Sequence, residues 1–379
     1  MNMFPWLLGA TALLLLALTM EKLQALRYRR ALRHIIHVNG TRGKSSVVRL
    51  IDAALRENGV KVLSKSTGTL PMILHVDGRE TQLRRHAPAN IREQLALMRL
   101  AVREGAEVLV IECMAVDPQL QYAAQHQILQ ADIGVLTNVR LDHQDVMGDT
   151  LQNVLHSLLN TVPRHGVLYT AEEALYPAIA EKAGMEHTAC HLSRPRGTAE
   201  EATLDFPENV ALAAAVAEEL GISYANALQG MKTVRRDPYA MELLTLPGLC
   251  FVNAMSSNDV QSAQLVLQRA RQQGARGQLQ ILINNRADRP ARAVEMLRLC
   301  RELAPERIYL LGEETYALRL LCRWRLPGTP VQRLKAPGDL LPALNTASQP
   351  VLLLAAGNIK GQGMELVDLL RKEAQEHVQ

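Results

Sequence analysis

The sequence predicts an α/β protein with three parts: an N-terminal transmembrane helix, a central domain built on a parallel sheet around a phosphate-binding loop, and a smaller C-terminal Rossmann-like α/β domain. Three observations carry this reading. Residues 3–20 are uncharged and dominated by Leu, Ala, Phe and Trp. The stretch "HIIHVNGTRGKSSVVRL" sets an apolar run, a glycine-bracketed loop, Lys-Ser and a helical pattern in succession. From there onward, short apolar runs alternate with helix-period segments, the pattern of parallel strands joined by crossover helices. The expected divisions are 1–33 for the anchor and a basic juxtamembrane helix, 34–235 for the central domain and 236–379 for the C-terminal domain.

In chain order the uncharged run comes first. A helix over 3–20 reaches about 27 Å, close to the thickness of a bilayer's hydrocarbon layer. No Lys or Arg precedes the run, whereas Glu21, Lys22, Arg27, Arg29, Arg30 and Arg33 follow it. A cleaved signal peptide would carry positive charge before the run and small residues at a cleavage site. Positive charge after the run places that side in the cytoplasm. The expectation is a single-pass anchor held in the lipid bilayer of the cell membrane, with the globular domains cytoplasmic.

Next, 35–38 is too short for a helix and suits a buried strand. Residues 45–58 have helical periodicity, with Val47, Val48, Leu50, Ile51, Ala54 and Leu55 largely on one face. Between them lies Gly40-Thr41-Arg42-Gly43-Lys44-Ser45, followed by Ser46. Glycines let backbone N–H groups converge on an anion, and the helix N-terminus adds partial positive charge. Lys44 adds a full charge, and the Ser45 hydroxyl can ligate Mg²⁺. The general pattern G-x-x-x-x-G-K-[ST] would put its first glycine at Val38; here it falls at Gly40, giving a shorter Gly-Thr-x-Gly-Lys-Ser form. The plain alternative is a glycine turn that binds nothing, and a strand before with a helix after argues against it. A P-loop ATPase domain using ATP and Mg²⁺ is therefore expected.

Beyond the loop, 60–63 reads as strand, 89–104 as helix, and 108–111 and 133–136 as buried strands. Residues 151–158 read as helix, 166–169 as strand, and 207–220 with 223–231 as a helix pair. The charged, proline-containing segment 233–247 reads as a linker. The alternation then restarts, with strands at 250–253, 279–284, 308–311 and 351–355. Helices are expected at 260–273, 291–303, 314–323 and 363–374.

Mg²⁺ needs oxygen ligands near the strand ends. Glu112 directly follows "VLVI", at the end of a buried strand, where a carboxylate is costly unless it meets a metal or a partner. In "LTNVRLDHQDVMGDT" a strand ends near Asn138, and Asp142-His143 follow in a loop. "KSTGT", ending at Thr69, offers hydroxyls to a metal, although a polar turn explains it equally well.

Composition sets the remaining bounds. With 379 residues the chain can fill two or three cores, and three Phe and two Trp mean those cores must be rich in Leu, Val and Ala. A net charge of +4 without a clustered basic face gives no reason to expect nucleic acid as a partner. Five scattered cysteines (113, 190, 250, 300 and 322) without C-x-x-C spacing suit reduced thiols and offer no zinc site.

These landmarks, in this order, resemble the Mur ligase-like amide ligases, which include the folylpolyglutamate synthases. They more closely resemble the ATP-dependent ligase subunits of membrane-bound poly-γ-glutamate synthases (the PgsB/CapB family). The segments that carry the likeness are the hydrophobic anchor, "HVNGTRGKSS", "STGT", "PANIREQ", "IECMAV" and "TNVRLDHQDVMG", with "FVNAMSSNDVQS" and "AAGNIKGQG" further on. The resemblance implies that Gly40, Thr41, Arg42, Gly43, Lys44, Ser45 and Ser46 hold the ATP phosphates. It implies one Mg²⁺ on Ser45 and Glu112, with Thr69 beside it, and a second on His143. Asn138 matches an asparagine that touches nucleotide, while Asn253, Asn258 and Asp259 match a hinge-side nucleotide segment. Lys44, Glu112 and His143 would carry the chemistry.

Two departures stand out. Many relatives place a carbamylated lysine after the histidine motif, and here 150–169 contains no lysine. Many also have an Asp-x-x-His-Asn-Pro hinge, and here the segment reads "VNAMSSND".

The implied reaction activates a glutamate carboxylate as an acyl phosphate and joins it to the amine of another glutamate. The implied partners are glutamate, the growing poly-γ-glutamate chain and small membrane-protein subunits of a polymer synthase and export complex. Oligomeric state is left open, a homo-oligomer included. A polyanionic substrate needs basic docking groups, for which Arg84, Arg85 and Arg92 are candidates. The rival readings are a ligase for a folate or muropeptide substrate, and a membrane-tethered nucleotide switch that recruits partners without conjugating anything.

Overall fold

The computed structural model describes residues 4–85, 89–257, 259–344 and 349–376. The chain divides into two compact units, Met1–Asp237 and Pro238–Gln379. The anchor and the juxtamembrane segment form one continuous helix, α1 (Phe4–Ala31). Leu7, Leu8, Leu13, Leu16 and Leu18 are all exposed, and by length and composition α1 can cross a membrane. A helix apolar on every side has no soluble face to present.

The far end of α1 is tied to the first unit. Arg29 donates to Oδ1 of Asp132 (2.9 Å) and to the carbonyl of Gln130 (2.8 Å), and Leu32 is buried just beyond. The same carboxylate accepts the backbone N–H of Ile35 (2.8 Å) and pairs with Nδ1 of His34 (2.6 Å). One aspartate thus couples the end of α1 to the first strand.

That unit is built on eight strands: β1 (His34–Asn39), β2 (Val62–Ser66), β3 (Met72–Leu74), β4 (Glu80–Gln82), β5 (Val108–Glu112), β6 (Ile133–Leu136), β7 (Val167–Thr170) and β8 (Ala189–Leu192). Their order is β4-β3-β2-β5-β1-β6-β7-β8, and β3 alone runs against the others, antiparallel to both β2 and β4. Helix α2 (Lys44–Glu57) packs one face of the sheet with Val47, Val48, Leu50, Ile51, Ala54 and Leu55, beside the helix Pro207–Glu219. Helix α3 (Glu93–Arg103) packs the other face, with Leu97, Met98 and Ala101 against Ile35, Leu63, Leu109 and Ile111. Strand β5 lies on one side of β1 and β6 on the other. The loops after β1, β5 and β6 therefore open at one crevice, the place where α/β sheets bind ligands.

The second unit has six strands: β9 (Glu242–Leu246), β10 (Leu249–Asn253), β11 (Gln278–Asn285), β12 (Arg307–Gly312), β13 (Val331–Arg333) and β14 (Val351–Gly357). Their order is β13-β12-β11-β14-β10-β9. All neighbours are parallel except β9 with β10. The helix Gln362–Glu376 buries Leu366, Val367 and Leu370 against Phe251, Tyr309 and Leu353.

Two expectations are corrected. Part of the expected linker 233–247 is strand β9, with Leu244 partly buried and Leu246 buried against that second core. The strand expected at 60–63 runs instead over Val62–Ser66, so Lys65 lies inside a strand and not in the turn after it.

Candidate active site

The loop between β1 and α2 needs its glycines. Gly40 has φ +130° and Gly43 has φ +80°. A Cβ at Gly40 would lie 2.1 Å from Thr137 Oγ1, and one at Gly43 would lie 2.6 Å from Asn209 Oδ1. The first turn of α2 has no acidic residue and no side-chain cap, so its N–H groups face an anion site without competition from the chain. Ser46 sits in that turn. The Lys44 ammonium folds over the loop and donates to the Gly40 carbonyl at 2.6 Å.

The loop is held open from β6. Asn138 Oδ1 accepts from Thr41 Oγ1 (2.7 Å) and from the Arg42 N–H (3.0 Å), while its Nδ2 donates to the Arg42 carbonyl (3.1 Å). Thr137 Oγ1 donates to the same carbonyl at 2.6 Å. Asn138 is thus a brace of the loop, with both amide atoms engaged there. Arg42 pairs with Asp142 Oδ2 at 2.5 Å. Burial works to raise the Asp142 carboxyl, but the adjacent guanidinium holds it below its ordinary value. His143 follows in a left-handed conformation, φ +45°, with Nε2 3.9 Å from Asp142 Oδ2.

Glu112 ends β5 in register with Val38 of β1, which brings it beside the start of the loop. It is 4% exposed. Its Oε2 accepts from Ser45 Oγ (2.7 Å) and from the Thr67 N–H (2.5 Å). Gly68 lies against Ser45, since a Cβ there would be 3.1 Å from its Oγ. Thr69 turns its N–H to Asp237 Oδ2 at 3.2 Å. Thr67, rather than Thr69, is therefore the residue of this turn that meets Glu112.

A cleft of about 250 Å³ joins these parts; Gly40, Lys44, Arg85, Glu112, Met114 and His143 are among its walls. Ser45 and Glu112 present a hydroxyl and a carboxylate at one point. That suits Mg²⁺, which favours one or two protein oxygens plus phosphate oxygens over a full protein cage. Among the described residues, no group of three or more His, Cys, Asp or Glu forms a metal cluster.

Other expected residues lie elsewhere or are otherwise engaged. Arg85 reaches the cleft but is bidentate to Glu93 (2.7 and 2.9 Å). Arg92 instead pairs with Glu21 of α1, in a groove between α1 and α3. Arg84 is exposed. In the second unit, buried Asn253 accepts from the Met255 N–H (3.1 Å) and donates to the Ala240 carbonyl (3.2 Å). Asp259 caps the helix Val260–Gln272 by accepting from the Ser262 N–H at 2.8 Å. Asn258 lies outside the described residues. Sequence reasoning missed Asp142 as the partner of Arg42, and Lys65, a charge inside the apolar strand "VLSKS".

Comparison with known proteins decides the family. The description "Mur ligase middle domain" matches residues 38–190, and "Poly-gamma-glutamate synthase CapB C-terminal domain" matches residues 246–373. PGA synthase CapB of Bacillus subtilis (strain 168) is 32% identical over 385 residues, covering 97% of this chain and 98% of that one. The chain belongs to the CapB family of poly-γ-glutamate synthases.

The fold of the chain is also seen in solved structures. E. coli FolC in complex with ADP superposes with a TM-score of 0.70 at 16% identity, covering 94% of each chain. A bifunctional folylpolyglutamate synthase/dihydrofolate synthase with Mn, AMPPNP and L-glutamate bound gives 0.68 at 16% identity, covering 92% of this chain and 93% of that one. At such identities the likeness is one of fold. This chain shares with them the α/β architecture on which its loop and Glu112 are mounted.

Proposed function

We propose that this chain is an ATP-dependent ligase that activates a glutamate carboxylate and joins it to the amine of another glutamate, building poly-γ-glutamate at the inner face of the membrane. The observation that carries the reading is the contact of Ser45 with Glu112 beside the Gly40–Lys44 loop, in a chain 32% identical to a PGA synthase.

The loop N–H groups and Lys44 bind the β- and γ-phosphates, Lys44 exchanging the Gly40 carbonyl for phosphate oxygen. Ser45 and Glu112 would hold Mg²⁺, which when bound neutralises charge on the transferred phosphoryl group. Arg42, Asn138 and Thr137 keep the loop in its open shape. His143 lines the same cleft as Glu112 and would bind a second divalent ion or a phosphate oxygen. The carboxylate oxygen of glutamate attacks the γ-phosphorus, and the bond from that phosphorus to its bridging oxygen breaks, releasing ADP. The amine then attacks the acyl carbon, phosphate leaves, and the amine loses a proton. Stabilising the charge that develops on the reacting groups is the main contribution the residues make to both steps.

Helix α1 spans the bilayer in this reading, with Arg27, Arg29, Arg30 and Arg33 on the cytoplasmic side. The polymer is then made beside the membrane it has to cross, where small membrane subunits can receive it.

Hydroxylamine trapping tests the proposal. Membranes carrying the chain, given ATP, Mg²⁺ and glutamate, should form glutamyl hydroxamate. ATP hydrolysis that never yields hydroxamate would support a nucleotide switch instead.

A further inference from the structure

The sheet face covered by α3 carries buried polar groups that the reaction above does not use. Lys65 is fully buried in β2. Among the described residues, no carboxylate lies within ion-pairing distance of its ammonium, whose one polar contact is Met114 Sδ at 3.8 Å. The acids nearest in influence, Glu112 and Glu93, are held by Ser45 and Thr67 and by Arg85. On α3, Gln94 is fully buried with both amide atoms unpartnered, and on β1 Nε2 of buried His37 is also unpartnered. Burial draws Lys65 down to about 8, against the pull of Glu112.

Burying an ammonium without an anion is costly, and the cost is removed when an anion arrives. Met114 lies two residues past Glu112 and lines the cleft. The Met114 thioether therefore touches the Lys65 ammonium while its residue lines the cleft that Lys44 and Glu112 also line. Methionine is unbranched and readily changes rotamer. Of the three arginines expected to dock a polyanionic substrate, Arg85 and Arg92 are already paired and Arg84 is solvent-exposed.

We propose that Lys65 is the cation that receives the non-reacting carboxylate of the acidic substrate, with the Met114 side chain moving aside to admit it. The identity of the acid rests on the ligase reading. In a γ-linked product the reacting group is the γ-carboxylate, so the group held is the α-carboxylate. A slot closed around one ammonium accepts a carboxylate and rejects the neutral amide of the same size, because only the carboxylate compensates the buried charge.

The test is calorimetric titration of the full chain in detergent, with Mg²⁺ and a non-hydrolysable ATP analogue. The probes are glutamate and its α-amide, isoglutamine, each as both enantiomers. The unsubstituted chain should bind glutamate more tightly than isoglutamine by about tenfold or more. Lys65→Met should erase that preference while nucleotide affinity is kept, and Lys65→Gln serves the same purpose if the methionine variant fails to bind nucleotide. Equal affinity for acid and amide, or a preference that survives loss of the lysine, overturns the proposal. Lysine-dependent glutamate binding without hydroxamate formation would refute the ligase reading and keep the carboxylate site. Hydroxamate formation with an unchanged glutamate KM in Lys65→Met would do the reverse.

Discussion

The hydroxyl of Ser45, in the first turn of α2, donates to Oε2 of Glu112, at the end of β5, across 2.7 Å. The pairing of Val38 with Glu112 fixes this meeting, because it sets the end of β5 level with the start of the phosphate loop. Glu112→Gln keeps the shape of the side chain and removes its charge. Hydroxamate formation should fall by about 10²–10³-fold, the scale of a lost electrostatic group in a dry site. Steady-state assay with a thermal melt on the same sample checks it: activity should fall without loss of folding.

Asn138 tests the brace. Asn138→Ala removes three hydrogen bonds to the loop, from Thr41, to Arg42 and from Arg42. Each such bond is worth about 1 kcal/mol net. Affinity for Mg-ATP should drop by about tenfold or more, while the glutamate KM at saturating ATP stays near its starting value. Titration with a fluorescent nucleotide measures the first and steady-state kinetics the second.

Gly43 can be tested in a pair. Gly43→Ala should abolish nucleotide binding, since its Cβ would meet Asn209 Oδ1 at 2.6 Å. Adding Asn209→Ala removes the collision and leaves only the left-handed backbone strain, about 1 kcal/mol. Partial recovery of binding in the double variant is the expected result.

Much of this was legible in the sequence, for physical reasons. Buried parallel strands are short apolar runs bounded by turns, so β1, β5 and β6 could be placed, and the loop and Glu112 came with them. The hairpin of β3 and β4 went unread, although Asp77-Gly78 between them is a turn signal and Gly78 has φ +82°. Strand β9 was hidden because its leucines lie between Pro238 and Pro247 in a charged stretch. Arg85 and Arg92 look alike in sequence, yet one reaches the cleft and the other meets α1, a distinction that needs the path of the chain. Asn138 was placed at the correct strand end, but whether its amide faces the loop or a ligand depends on tertiary register. Lys65 was seen only as part of a polar turn, because the strand's length was underestimated.

His37 gives a pH dependence. Burial is the largest influence on it and draws it from 6.5 to about 4. The unfolded chain therefore takes up a proton near pH 6.5, while the native state resists until about pH 4. Stability is complete above the unfolded value and is lost as the pH falls between those two, by about 3 kcal/mol in all. His37→Gln should flatten that part of the curve of melting temperature against pH.

Asp132 ties the end of helix α1 to the first unit. Asp132→Ala leaves Arg29, His34 and the Ile35 N–H without their shared acceptor. A loss of about 1–3 kcal/mol is expected. Denaturant unfolding of the full chain in detergent reads it, and limited proteolysis should then cut near residues 31–34 faster.

The central claim is that a carboxylate of glutamate attacks the γ-phosphate held over Lys44, Ser45 and Glu112. Glutamate labelled with ¹⁸O in its carboxylates tests this most directly, because an acyl phosphate passes one carboxylate oxygen to the phosphate it releases. Mass analysis of the phosphate formed with ATP, Mg²⁺ and the full chain should show one ¹⁸O per phosphate, and Glu112→Gln should reduce the yield of labelled phosphate. Phosphate that carries oxygen from solvent alone would contradict the account.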